Sequence, residues 1–211
     1  GYSPTETNIV VLPLFHIFAM TVMMNSAFQH GTHCVLVPKF DPALVFGLMQ
    51  KHKVSVFGGV PTMYWAMLNF QSEEFDFKAI ASNLKLAVSG GAALPVQVLE
   101  DFKKRFDVDI LEGYGMSEGS PVVTFNQPVF GTKPGSIGKP VWGVQVKLVD
   151  TEGNEVPKGE RGELIYKGPN VMKGYYNRPD LTNETIDSDG WFHTGDIGEL
   201  TDGYLKITDR T

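Results

Sequence analysis

Apolar residues follow two different rhythms along this chain. Up to about residue 112, short apolar runs alternate with longer segments at helical spacing. Residues 8–12 are a run of apolar β-formers stopped by Pro13, which predicts a buried strand. Residues 15–28 are long and apolar, close at Gly31 and predict a buried helix. A second strand over 35–37 ends at Pro38. Asp41-Pro42 predicts a helix start, because an Asp side chain caps free N–H groups and Pro is tolerated in the first turn. Leu44 and Leu48, with Val45 and Met49, give that helix an apolar face. A third strand over 54–57 precedes a helix opening at Pro61, with Met63, Tyr64, Met67 and Leu68 at helical spacing. Residues 84–88 predict a strand, 95–106 a helix with Val98, Leu99 and Phe102 facing inward, and 108–111 a strand. Such alternation implies a mostly parallel sheet flanked by helices. Ligands of such sheets bind beyond the carboxyl ends of the strands, here after Leu12, Phe57, Val88 and Leu111.

Beyond about residue 130 the rhythm changes. Val144, Val146 and Leu148 alternate with Gln145 and Lys147, as in a half-exposed strand. Glu152-Gly153-Asn154 reads as a turn and 162–166 as a strand, while Asp202-Gly203 joins 197–200 to 204–207 as a hairpin. The expected class is therefore α/β: an α/β subdomain over 1–130, followed by a small antiparallel β-barrel-like subdomain over 131–211.

Composition narrows this picture. The 211 residues are 42% hydrophobic and 20% charged, ordinary values for a chain with a real core. Of 23 glycines and 13 prolines, 14 fall within 131–180, which agrees with turns and strands there. Residues 1–130 carry 8 basic and 11 acidic groups, and 131–211 carry 10 and 13, so each part is net −3. The one dense basic run, Lys103-Lys104-Arg105, is answered by Glu100, Asp101, Asp107 and Asp109. That distribution excludes the sustained basic face a nucleic acid requires. Cys34 is the only cysteine, so no disulfide forms within the chain, and a reducing, cytoplasmic location is expected. No apolar run reaches the ~18–20 residues of a membrane span, and peripheral contact with a membrane is left open. Gly1-Tyr2-Ser3-Pro4 is neither an initiator Met nor a signal peptide, so the chain reads as cut from something longer.

Several segments could carry chemistry. Ser89-Gly90-Gly91-Ala92 joins a strand to a helix, and its glycines admit a flat ligand close to the backbone. A plain turn fits as well, and Ala87-Val88-Ser89-Gly90-Gly91 also has the A-x-S-x-G shape of a hydrolase nucleophile. Glu112-Gly113-Tyr114-Gly115-Met116-Ser117-Glu118 is neither a dinucleotide fingerprint nor a Walker loop. Its aromatic face between glycines can stack a base, and its hydroxyl and carboxylate can meet a phosphate and Mg²⁺. A glycine-rich turn with an exposed Glu is the plainer alternative. In Trp191-Phe192-His193-Thr194-Gly195-Asp196 the carboxylate can accept both hydroxyls of a ribose, although alone the segment reads as a loop before a hairpin. His30-Gly31-Thr32-His33-Cys34 holds three potential ligands without a second pair at zinc spacing, so a structural role is expected.

Taken in order, Pro13-Leu14-Phe15-His16, Ser89-Gly90-Gly91-Ala92, Gly113-Tyr114-Gly115-Met116-Ser117-Glu118, Gly162-Glu163-Leu164, Gly174-Tyr175-Tyr176, Trp191-Phe192-His193-Thr194-Gly195-Asp196 and Asp209-Arg210 resemble the adenylate-forming acyl-CoA synthetases. The likeness runs from about residue 8 to 211, and Val60-Pro61-Thr62-Met63-Tyr64 is most similar to the long-chain fatty-acid branch. The resemblance implies a fatty acid, ATP with Mg²⁺, and coenzyme A as reactants, passing through an acyl-adenylate. Adenine would lie between the backbone at Gly90-Gly91-Ala92 and the ring of Tyr114, with Glu112, Gly113 and Gly115 also in the nucleotide site. Ser117 would bond the α-phosphate, where the family more often has Thr, and Glu118 would ligate Mg²⁺. Asp196 would accept the ribose hydroxyls beside Arg210, and His16 would lie between acyl pocket and reaction centre. Ala19 stands where many members have Gly, and Met20, Met23 and Met24 either line an acyl tunnel or pack the core. The family's phosphate loop would precede Gly1 and its lysine-bearing C-terminal domain would follow Thr211, so an incomplete, inactive fragment is expected. Other adenylate-forming enzymes (peptide-synthetase or luciferase-like), a serine hydrolase at Ser89 and a non-catalytic nucleotide-binding module are the competing readings.

Overall fold

A computed structural model of the chain describes residues 2–210. It divides into two compact units, with the break between Glu112 and Gly113.

The first unit is built on β1 (Thr7–Val10), a π-wound stretch Phe18–Asn25 continuing as α1 (Ser26–Gln29), β2 (His33–Leu36), α2 (Pro42–His52), β3 (Val56–Gly59), α3 (Pro61–Asn69), α4 (Phe77–Asn83), β4 (Leu86–Ser89), α5 (Val96–Phe106) and β5 (Ile110–Gly115). All of its strand pairs are parallel, in the order β2-β1-β3-β4-β5. Ile9, Phe46, Phe57, Tyr64, Phe102 and Phe106 are wholly buried in its core. The helix starts follow local chemistry. Asp41 Oδ1 accepts the Leu44 N–H at 2.9 Å, with Pro42 in the first turn, and α2 ends where Lys53 turns left-handed. The segment 15–28, expected as one helix, is π-wound over Phe18–Asn25, with the Ser26 N–H reaching Thr21 O. Buried Asn8 donates to Met23 O at 2.8 Å inside this stretch, fixing it against β1. Met23 is buried in contact distance of Gly58, so that methionine is core packing. Helix α4, absent from the expectation, starts at Asp76, whose carboxylate accepts from the Lys78 and Ala79 N–H groups.

The second unit continues β5 into β6 (Val122–Phe125) and β7 (Lys139–Pro140), paired antiparallel. A separate antiparallel sheet comprises β8 (Gln145–Val149), β9 (Arg161–Lys167), β10 (Phe192–Thr201) and β11 (Tyr204–Arg210), in the order β11-β10-β9-β8. Helix α6 (Pro179–Thr185) lies between β9 and β10 in sequence. Val144 and Leu148 turn inward and Gln145 outward, as the alternation predicts. Asp202 and Gly203 both have positive φ, which suits the tight turn that closes β10 on β11. Two expectations change here. Residues 112–115 extend β5 rather than follow its end, and Phe192 to Asp196 belong to a strand rather than a loop. Phe192, Thr194 and Asp196 alternate as buried residues along β10. Because two of the three are polar, the period does not register as apolar alternation.

Candidate functional site

In the first unit, four of the sequence candidates, His16, Gly90, Gly91 and Ala92, lie past the carboxyl ends of parallel strands. Ser89 is the last residue of β4, so Gly90, Gly91 and Ala92 begin the crossover to α5. Tyr64 holds that strand end by donating from Oη to Val88 O at 2.7 Å. Gly91 has φ +82°, a conformation side-chain-bearing residues rarely adopt, and an added Cβ there would touch Val60 Cγ1 at 3.9 Å. Glu112 pairs with Ser89 across β4 and β5 and is nearly buried. His16 is exposed beyond β1, with Nδ1 accepting the Phe18 N–H at 3.2 Å. Ser89 itself is 1% exposed and its hydroxyl has no hydrogen-bond partner. A serine nucleophile needs a base within reach and access to substrate. Ser89 has neither, so the hydrolase reading loses its site.

In the second unit, Tyr114, Asp196 and Arg210 meet. Asp196 and Arg210 stand opposite each other across β10 and β11. Tyr114 donates from Oη to Asp196 Oδ2 at 2.5 Å, and Arg210 Nε lies 3.3 Å from Oδ1. Asp196 is 7% exposed while the Arg210 side chain is mostly open to solvent. Burial, and then the Asp196 carboxylate, push the Tyr114 hydroxyl far above the ordinary tyrosine range, so it remains a donor. A carboxylate offers about four acceptor positions. Two are taken here, which leaves room for two more donors.

Local side-chain bonds set the direction of Asp196. Between His193 and Ile197 the register of β10 against β9 shifts, so that Thr194, Gly195 and Asp196 face the single residue Leu164. Gly195 adopts φ +69° within this bulge. Thr194 Oγ1 donates to Leu164 O at 2.6 Å and accepts the Asp196 N–H at 3.0 Å. Glu163 Oε1 accepts the Gly195 N–H at 2.9 Å, and its other oxygen is 3.1 Å from His193 Nδ1.

Glu118 sits in the tight turn Ser117–Gly119 that follows β5. Tyr175 Oη donates to its Oε1 at 2.9 Å, and its carbonyl accepts the Met172 N–H at 2.8 Å. Asn170 Nδ2 donates to both Gly119 O and Val122 O at 3.0 Å, bracing the turn from behind. Buried Tyr166 packs on Gly119, and its hydroxyl has no partner. Burial and Glu118 together raise the Tyr175 and Tyr166 hydroxyls above their usual range. Ser117 is exposed beside Glu118. Among the described residues no three His, Cys, Asp or Glu side chains cluster as an all-protein metal centre. One carboxylate with a free oxygen does suit Mg²⁺, which binds through one or two carboxylates plus substrate phosphates.

Sequence reasoning gave no role to Glu163, Thr194, Asn170 or Tyr175. Glu163 and Tyr175 stand in the ordered motifs, yet nothing local to them announces a bond to Gly195 or Glu118. Among the described residues no helix is long and apolar enough to cross a membrane.

Residues 1–176 match the model of the AMP-binding enzyme family. The chain is 39% identical over 208 residues to a long-chain-fatty-acid–CoA ligase of Bacillus subtilis (strain 168), covering 97% of this chain and 36% of that protein. A feruloyl-CoA synthase of an Amycolatopsis species is 36% identical, with coverage of 97% and 41%. Among solved structures, ATP-bound MatB from Rhodopseudomonas palustris superposes with TM-score 0.91 at 32% identity, over 99% of this chain and 41% of that one. The chain thus spans well under half the length of the proteins it matches.

Proposed function

Because the chain belongs to the AMP-binding enzyme family, we propose that the full-length protein carrying it activates a long-chain fatty acid with ATP and transfers it to coenzyme A. In the first step a carboxylate oxygen of the acid attacks the α-phosphorus, the bond to pyrophosphate breaks, and an acyl-adenylate forms. In the second, the coenzyme A sulfur attacks the acyl carbon, AMP leaves with the bridging oxygen, and the thiol proton is released. The protein contributes position and charge rather than covalent chemistry.

Our assignment gives Asp196 the two ribose hydroxyls, with Arg210 beside them and the ring of Tyr114 against adenine. Further nucleotide contacts are assigned, from the same ordered motifs, to the backbone at Gly90, Gly91 and Ala92 and to Glu112, Gly113 and Gly115. Ser117 bonds the α-phosphate, and His16 stands on the acyl side. Glu118 would hold Mg²⁺ through its free oxygen, and the ion would supply neutralising charge to the phosphates. The observation that carries this reading is the buried Asp196 carboxylate, oriented by Tyr114 and Arg210 and keeping two acceptor positions.

The acyl class rests on the identity to the fatty-acid ligase, higher than that to the feruloyl enzyme. The latter relative favours a second reading, an aromatic acid. Competition between palmitate and ferulate in the full-length protein separates them. Palmitate should win by roughly tenfold or more in kcat/KM. Preference for ferulate would remove the fatty-acid assignment and leave adenylation standing.

A further inference from the structure

We propose that Glu163 is a positioning residue for the nucleotide: it holds the β10 bulge in the one conformation that aims Asp196 at the ribose. The inference rests on the ribose assignment of Asp196 made above. Three residues of β10 face one residue of β9 at this point, so a regular ladder cannot satisfy their N–H groups. Side chains do so instead. Glu163 takes the Gly195 N–H at 2.9 Å, and Thr194 takes that of Asp196 at 3.0 Å. Gly195, at φ +69°, is in a conformation an extended strand does not adopt unaided. The second oxygen of Glu163 reaches His193 Nδ1 at 3.1 Å, and His193 Nε2 lies 3.7 Å from Asp187 Oδ2. One carboxylate therefore grips β10 on both sides of Thr194, with Asp196 as the next residue after the gripped Gly195. Nothing in this arrangement requires Glu163 to touch Tyr114, Asp196 or Arg210. Without it the bond from the Gly195 N–H to Glu163 Oε1 is gone, the bulge relaxes toward extended backbone, and the Asp196 carboxylate swings off its direction.

Pyrophosphate exchange by the full-length protein, run with ATP and with 2′-deoxyATP, tests this. The readout is the ratio of the two kcat/KM values, with thermal unfolding recorded for each variant. Wild type should prefer ATP by about 10- to 100-fold, the worth of a hydrogen bond to a charged group. Glu163→Ala should bring the ratio to within about threefold of unity by raising KM for ATP alone, since misdirection costs only the contacts of the lost hydroxyl. Glu163→Gln should keep most of the preference, because the amide oxygen still accepts from Gly195 and the amide nitrogen still reaches His193. Glu163→Asp should lose it, because the shortened side chain falls about 1.5 Å short. The order Gln above Asp is the signature of backbone anchoring, and it remains readable if the Ala variant fails to fold. A wild-type ratio retained in Glu163→Ala or Glu163→Asp overturns the inference, as does Asp outperforming Gln. A wild type indifferent to the 2′-hydroxyl would instead remove the ribose assignment, and this inference with it.

Discussion

Tyrosine hydroxyls decide much of the chemistry at the scale of single residues. Tyr64 donates to Val88 O, Tyr114 to Asp196 and Tyr175 to Glu118, and each bond exists only while the phenol keeps its proton. Burial raises the hydroxyls of Tyr2, Tyr64, Tyr114, Tyr166 and Tyr175 above their usual value, with neighbouring carboxylates adding to the shift at the last three. The folded state therefore binds these protons more tightly than the unfolded state. Its stabilisation is whole below about pH 10 and is lost as pH rises above that value. In an alkaline titration, tyrosinate absorbance of these residues should appear together with unfolding, and the thermal midpoint should fall steeply past pH 10. Full tyrosinate absorbance in a protein that stays folded would contradict the burial argument. Motif order made Tyr114, Asp196 and Arg210 legible as candidates in the sequence. Their bonds were not: Tyr114 and Asp196 are 82 positions apart, and only folding brings them within reach.

At the scale of elements, local chemistry was legible wherever a residue acts on its own neighbours. Asp41 caps α2, Asp202-Gly203 turns β10 into β11, and the 144–148 alternation becomes β8. Legibility failed where polar side chains take backbone hydrogen bonds. The β10 bulge reads as a loop because Thr194 and Asp196 occupy buried strand positions. The π turns at Phe18–Asn25 follow from contacts with β1 that no helical period encodes. The turn after β5 depends on a close approach at Gly115, where an added Cβ would lie 1.7 Å from Pro121 O. Gly115→Ala must push β5 from β6 and displace Ser117 and Glu118 together. A loss of about 3 kcal/mol, read as a fall in thermal midpoint on the order of 10 °C, is expected, along with loss of adenylation. A variant with an unchanged midpoint would show that the turn accommodates the methyl group.

Across the whole molecule, the alternation of short apolar runs and helical segments was enough to read a mostly parallel sheet flanked by helices, and the later pattern an antiparallel sheet. The parallel βα alternation stops with β5, and β6 and β7 that follow it pair antiparallel. The break between compact units, after Glu112, falls inside β5, and no change of period marks it because one strand runs through it. The candidates of each unit occupy places where ligand chemistry is expected: strand ends and a crossover turn in one, and a buried carboxylate with a braced acidic turn in the other. Under the proposed function these groups serve adenylation of a carboxylic acid, and Glu118 would act at the phosphates through Mg²⁺. Exchange of radiolabelled pyrophosphate into ATP by the full-length protein, with and without palmitate, tests it most directly in wild type and Glu118→Ala. Palmitate-dependent exchange is expected in wild type, and its loss, by at least about a thousandfold, in the variant. Exchange that ignores the carboxylic acid, or a Glu118→Ala variant that exchanges at the wild-type rate, would contradict it.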